Sequence, residues 1–136
     1  MITAVDTNVI VDVFGADPTF GPGSKTAIRS CLTEGRLVAC DVVWSEVASL
    51  FPSSDAAGEA MDRLGVEFSP VEQEAALRAG LAWKEYRSRG GRRERMVADF
   101  LIGAHALSQA DRLLTRDRGF YRKYFHALAI FDSSKT

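Results

Sequence analysis

Four acidic residues stand where a carboxylate is out of place. Asp6 separates two apolar runs in "ITAVDTNVIVDVF", residues 2 to 14. Glu46 falls in "VVWSEVASLF", where helical spacing puts it on a face with Val42, Val43 and Leu50. Asp99 interrupts the series Met96, Val97, Phe100, Leu101, Ile102, and Asp117 follows "RLLT". Each has a plain structural role open to it: Asp6 and Asp117 as helix caps, Glu46 and Asp99 as exposed helix acids. As a set they suggest chemistry. Converging carboxylates repel one another, and a cluster persists at neutral pH only when protons or cations neutralise it. Hard oxygen donors suit Mg2+ or Mn2+ and not zinc. Such ions activate water and stabilise the attacking and leaving oxygens at a phosphodiester.

The charge distribution fits a phosphate-bearing partner. Formal net charge is only −1, yet ten of the seventeen basic residues lie between Arg87 and Lys123, against four acids. That segment therefore carries +6 and the remainder −7. Arg92, Arg93 and Arg95 precede the helix that holds Asp99, while Arg116 and Arg118 flank Asp117. Long arginine side chains often do no more than solvate a helix face. Here both groups could also line the approach to an acidic centre and hold a nucleic-acid backbone that the centre alone would repel.

The elements that must position these residues follow from the pattern of apolar runs. Short runs alternate with helical patterns, which predicts βαβ units and a parallel sheet in one α/β domain. Strands are expected at Ile2–Val5, Leu37–Cys40, "VEF" (66–68), "RLLT" (112–115) and "LAIF" (128–131). Asp6 thus ends the first strand, and the carboxyl ends of strands in open α/β sheets are where such folds bind ligands. Helices are expected from about Asn8, with Thr7 as the cap, and from Ser24 to Glu34 with Gly35 as the stop. Asp41 is the expected cap of the next helix, and a short one follows around Asp55–Leu64. Ser69, Pro70 and Glu72 read as the start of a helix running to about Ser88. "ERMVADFLIGAHALSQ" is the last long helix, with Gly103 leaving open space one turn after Asp99. "GADPTFGPG" (15–23) reads as a loop.

These residues carry a resemblance. "AVDTNVIVDVF", "WSEV", "ADFLIGAHAL" and "LLTRDRGFY", in that order and spacing, resemble the motifs of PIN-domain ribonucleases, specifically VapC-type toxins of bacterial toxin–antitoxin modules. The resemblance spans nearly the whole chain and implies a single PIN domain over residues 1–136. It implies a PIN-like three-layer fold, with a central, mainly parallel sheet flanked by helices. It further implies Mg2+-dependent endonucleolytic cleavage of RNA (with Mn2+ able to substitute), inhibition by a cognate antitoxin protein, and a homodimer. By position, Asp6, Glu46, Asp99 and Asp117 become the catalytic acids. Asp6 and Asp99 become the direct metal ligands, with Glu46 and Asp117 as further candidates and Asn8 and Thr115 as supporting polar residues.

Other residues and readings carry less. His105 has no nucleophile to pair with, and His126 has no metal-ligand spacing. Trp44, Trp83, Tyr121 and Tyr124 fit core positions better than base-stacking ones. Cys31 and Cys40 read as buried, reduced thiols. "FGPGSK" lacks Walker spacing. A haloacid-dehalogenase phosphatase would need a second Asp where Asn8 stands, and a receiver domain lacks its acidic pair and lysine. A catalytically silent module that sequesters RNA or a protein partner is the remaining alternative, but a pure binder gains nothing from clustered like charge. No stretch is long and apolar enough to span a bilayer, and the N-terminus has no signal-peptide pattern, so a cytoplasmic location is expected.

Overall fold

The computed structural model describes residues 1–90 and 96–135. Among these residues five short strands form one sheet: β1 (Ile2–Val5), β2 (Arg36–Ala39), β3 (Val66–Phe68), β4 (Arg112–Thr115) and β5 (Ile130–Asp132). All neighbours pair in parallel, in the order β3-β2-β1-β4-β5. Because β1 is flanked on one side by β2 and on the other by β4, the strand order reverses between β1 and β4. Right-handed crossovers then place the helices before and after that reversal on opposite faces of the sheet. The carboxyl ends of β1 and β4 meet at this junction, the place where such sheets take ligands.

Among the described residues, seven helices flank the sheet: α1 (Thr7–Phe14), α2 (Gly21–Glu34), α3 (Asp41–Ala48), α4 (Ser54–Leu64), α5 (Gln73–Ser88), α6 (Val97–Gln109) and α7 (Arg118–Tyr124). A 3-10 turn follows at Ser133–Lys135. The middles of the central strands are mostly apolar, as burial on both faces demands. Val5, Leu37, Val38, Leu113 and Leu114 are all buried. Between α5, α6 and α7 lies an aromatic cluster of Tyr86, Phe100, Phe120, Tyr124 and Phe125, with ring centroids 5.2 to 6.4 Å apart. Tyr121 and Tyr124 are core residues, and Cys31 and Cys40 are buried free thiols.

Several boundaries differ from the sequence expectation, each for a physical reason. The helix after the 15–23 loop starts at Gly21, not Ser24, because Pro22 suits a first helical turn that lacks partners for its N–H groups. Ser24 lies inside α2, buried, and donates to Asp12 instead of capping. Asp41 is the first residue of α3 and accepts the Val71 N–H at 3.2 Å. The α5 start moves from Ser69 to Gln73, since the Ser69 hydroxyl is paired with His105 Nε2 at 3.0 Å. The space beside Gly103 is not open: a Cβ there would sit 2.5 Å from the Phe125 ring. Finally, β5 runs over Ile130–Asp132, because Leu128 is still in the turn, its N–H bonded to the Phe125 carbonyl.

Candidate functional site

Asp6 occupies the junction itself. Its backbone N–H donates to the Leu114 carbonyl of β4 at 2.9 Å, so the residue extends the β1–β4 pairing by one step. Its side chain then caps α1, accepting the Thr7 N–H at 2.8 Å. The expectation that Thr7 would take over the cap is therefore corrected. Thr7 is the first helical residue, with its hydroxyl donated to Glu46, and Asp6 is the cap. The other Asp6 oxygen accepts the Thr115 hydroxyl at 2.7 Å.

Burial dominates the electrostatics of this carboxyl. Only 6% of Asp6 is exposed, and its pKa is pushed up to about 6. Desolvation is the main cause, and the charge of Asp99 adds to it. The hydroxyls of Thr115 and Tyr121 and the Thr7 N–H work in the opposite direction. The Tyr121 phenol is driven well above its ordinary value, first by its own burial and then by the charges of Asp6, Asp99 and Asp117. The charges of three of the four acids thus bear on the Tyr121 hydroxyl.

Asp99 belongs to α6. It is half-buried at the third helical position, and its Oδ2 accepts the Met96 N–H at 3.1 Å. The helix dipole favours a negative charge there. Asp117 follows the β4 end, half-buried, with its N–H donated to Thr115 Oγ1 at 2.9 Å. Thr115 is thus a relay, donating to Asp6 and accepting from Asp117. Asn8, on the first turn of α1, accepts the Arg116 N–H through Oδ1 at 3.4 Å.

Glu46 corrects its expectation. It is exposed, as is Leu50, although Val43 is buried, so the carboxylate itself is not taken out of water. It is linked to the junction through Thr7, whose hydroxyl donates to its Oε1 at 2.6 Å. Among the described residues, no three carboxylate, imidazole or thiol side chains come together as a ready-made metal cage. The charge of Asp99 bears on the buried Asp6 carboxyl. Mg2+ is bound by one or two carboxylates plus waters, not by all-protein cages, so these two hard oxygen donors suit it.

The basic residues separate into three groups. Arg92, Arg93 and Arg95 lie outside the described residues. Arg118 lines an open cleft of about 500 Å3 with Arg112, Arg122 and Phe131. Arg116 is paired inside the fold with Asp12.

A family model described as the PIN domain matches residues 3–126. The chain belongs to the PIN-domain family. No curated protein sequence matches it. Among solved structures, this PIN domain is similar to VapBC2 from Rickettsia felis bound to a promoter DNA fragment, with a TM-score of 0.76 and 17% identity over 97% of this chain and 98% of that one. It is also similar to VapBC-1 from nontypeable Haemophilus influenzae, with a TM-score of 0.74 and 21% identity over 99% and 100%. A toxin–antitoxin complex from Klebsiella pneumoniae gives 0.67 and 20%, over 96% and 97%. At such identities the likeness is one of fold, over the full length of each partner.

Sequence reasoning misses two residues of this PIN domain's junction. Tyr121 reads as core, which it is, yet its hydroxyl also faces Asp6. Asp12 escapes notice, although it recurs three residues after buried Val9 on the inner face of α1. An acid at that period on an apolar stripe is the signal that could have found it.

Proposed function

We propose that this PIN domain is a Mg2+-dependent endoribonuclease that acts as the toxin of a toxin–antitoxin module. One observation carries the reading: Asp6 is a buried carboxylate at the sheet's reversal point, held beside Asp99 with its pKa raised to about 6. The fold keeps there a group that is uncomfortable until a proton or a cation joins it.

Asp6 and Asp99 would hold the ion, through water for its remaining positions. A divalent cation so bound supplies positive charge against the negative charge that develops at a phosphodiester under attack by water. The chain's own residues do the rest. Thr115, Tyr121 and the Thr7 N–H orient the Asp6 carboxylate and keep it ionised at neutral pH. Asp117 and Glu46 act from the rim, where a carboxylate can orient a water or take up its proton. Arg118 and the arginines of 92–95 supply charge for the RNA backbone.

Control follows from the same electrostatics. The solved relatives named above are VapBC or toxin–antitoxin complexes, which supports an antitoxin protein as the partner here. A guanidinium pairs well with carboxylates, so an antitoxin arginine entering the cluster would stand in for the cation. Apolar anchors beside it would fit the groove of about 210 Å3 formed by Val11, Phe14, Val47, Leu50 and Phe51. The toxin is expected to act in the cytoplasm and as a homodimer, which sedimentation would check.

The purified protein should cut end-labelled RNA with Mg2+ or Mn2+ and stop in EDTA. Expression alone should arrest growth, with rescue by a small co-expressed partner. Soluble wild-type protein that binds RNA without cutting it, and is harmless to its host, would assign the fold to a silent binding module.

A further inference from the structure

Arg116 stands between Thr115 and Asp117, but its side chain is committed to α1. Its Nε and Nη2 donate to Oδ2 and Oδ1 of Asp12 at 2.7 and 2.9 Å. Asp12 is 3% exposed and belongs to the helix that Asp6 caps. The Ser24 hydroxyl of α2 donates to the same carboxylate at 2.9 Å. The Phe20 ring lies against the guanidinium, 4.1 Å from centroid to Cζ, and the Arg116 N–H is directed at Asn8. Two parallel N–H···O bonds define a plane as well as a distance, so a fork of this kind fixes orientation in a way a lysine cannot. A lone charge at Asp12 would be left buried and uncompensated without it.

We propose that Arg116 is a positioning residue, which locks the 115–117 turn onto Asp12 and thereby holds Thr115 against Asp6 and Asp117 beside it. The metal-binding geometry of the Asp6–Asp99 pair then depends on an ion pair that touches neither ligand. This rests on the metal-dependent reading above, and it differs from the role of RNA contact that sequence position assigns to Arg116. Only 28% of the Arg116 side chain is exposed, and two of its donors are already taken. Two links connect the pair to the site: the backbone from Arg116 to Thr115, and about a turn and a half of α1 from Asp12 back to Asp6. Both ends of the Asp6–Thr115 contact are therefore held by the same pair.

The test uses the full chain and three variants. Arg116→Lys keeps the charge and loses the fork, Asp12→Asn keeps the shape and loses the charge, and Phe20→Leu leaves both charges in place. Mn2+ affinity is measured by electron paramagnetic resonance without RNA, and RNA cleavage is resolved into kcat and KM, below each variant's melting temperature. Arg116→Lys and Asp12→Asn should each weaken Mn2+ binding and lower kcat by roughly tenfold or more, as loss of a supporting shell does. KM for RNA should stay within about twofold, since the missing interaction does not touch substrate. Phe20→Leu should move both quantities the same way by less, and it carries the test if the charge variants do not fold. A raised KM with unchanged kcat and Mn2+ affinity would overturn the proposal and return Arg116 to RNA contact. A lower melting temperature with both quantities unchanged would also overturn it, leaving the pair a fold-stabilising contact. Wild-type protein that binds no Mn2+ would instead remove the metal reading on which the proposal stands.

Discussion

The Thr115 hydroxyl and the Asp6 carboxylate, 2.7 Å apart, join the ends of β1 and β4 at the place where the strand order of the sheet reverses. The bond does two jobs. It closes the β1–β4 seam beyond the last ladder pair, and it offsets part of the desolvation that raises the Asp6 pKa.

Thr115→Val should separate those jobs. The substitution leaves the Asp117 N–H without its acceptor and Asp6 without one donor, at a cost of about 1–3 kcal/mol in stability. The Asp6 pKa should rise further, so cleavage should require a higher pH. Thr115→Ser should restore both melting temperature and pH profile; an unchanged profile in Thr115→Val would show that the hydroxyl does not act on Asp6.

The raised Asp6 pKa fixes the sign of a pH dependence. The folded carboxyl holds its proton up to about pH 6, whereas the ordinary value is 3.8. The folded state therefore binds more protons between these values, and stability from this group is full below about pH 4 and lost as pH rises to about 6. The span is on the order of 3 kcal/mol. In EDTA, wild type should lose stability across that window and Asp6→Asn should lack this loss. Saturating Mg2+ should recover it above about pH 6 and have little effect near pH 5, because proton and cation compete. Equal slopes for the two proteins in calorimetry would reject the assignment.

Asp99→Asn should keep the fold, because an amide oxygen can still accept the Met96 N–H. RNA cleavage should fall by roughly a hundredfold or more, through loss of a cation ligand. In EDTA the variant should be no less stable than wild type, as a repulsion with Asp6 has gone. A clear destabilisation in EDTA, with cleavage retained, would make Asp99 a cap and nothing more.

Arg92→Glu with Arg93→Glu tests the grip on RNA. Binding should weaken, and the slope of log affinity against log salt should drop by roughly one for each phosphate no longer neutralised. An unaltered slope would put these arginines on a solvated face.

Much of the fold is readable because its strands are short apolar runs bracketed by residues that stop them. Ile2–Val5, Val66–Phe68 and Arg112–Thr115 are assigned to the residue for that reason. Helix starts are less legible, since the deciding partner lies far off in the chain. Ser69 looks like a cap and is a partner of His105, while Ser24 looks like a cap and is a donor to Asp12. The strand ends, and with them the placement of Asp6 and Asp117, follow from periodicity and order, as does the start of the helix that carries Asp99. Their connections do not. Asp12 and Arg116 are 104 residues apart, and no local pattern in either segment announces a fork between them. Glu46 misleads for a related reason: its neighbours at helical spacing are apolar, but α3 ends at Ala48, before Leu50, and both Glu46 and Leu50 are exposed.

Gly103 is one turn along α6 from Asp99, in the space where the Phe125 ring would be 2.5 Å from any Cβ. That ring is buried against Phe100 and Tyr121 and has nowhere to retreat. A methyl group at 103 would therefore act as a wedge, prising α6 from α7 and carrying Asp99 outward with it. The separation of two charges is set, in effect, by the thickness of a benzene ring pressed against bare backbone. Gly103→Ala should leave every polar group of the junction intact and still loosen its hold on Mn2+. Phe125→Leu beside it should bring that affinity back, as a thinner shim restores a misaligned hinge.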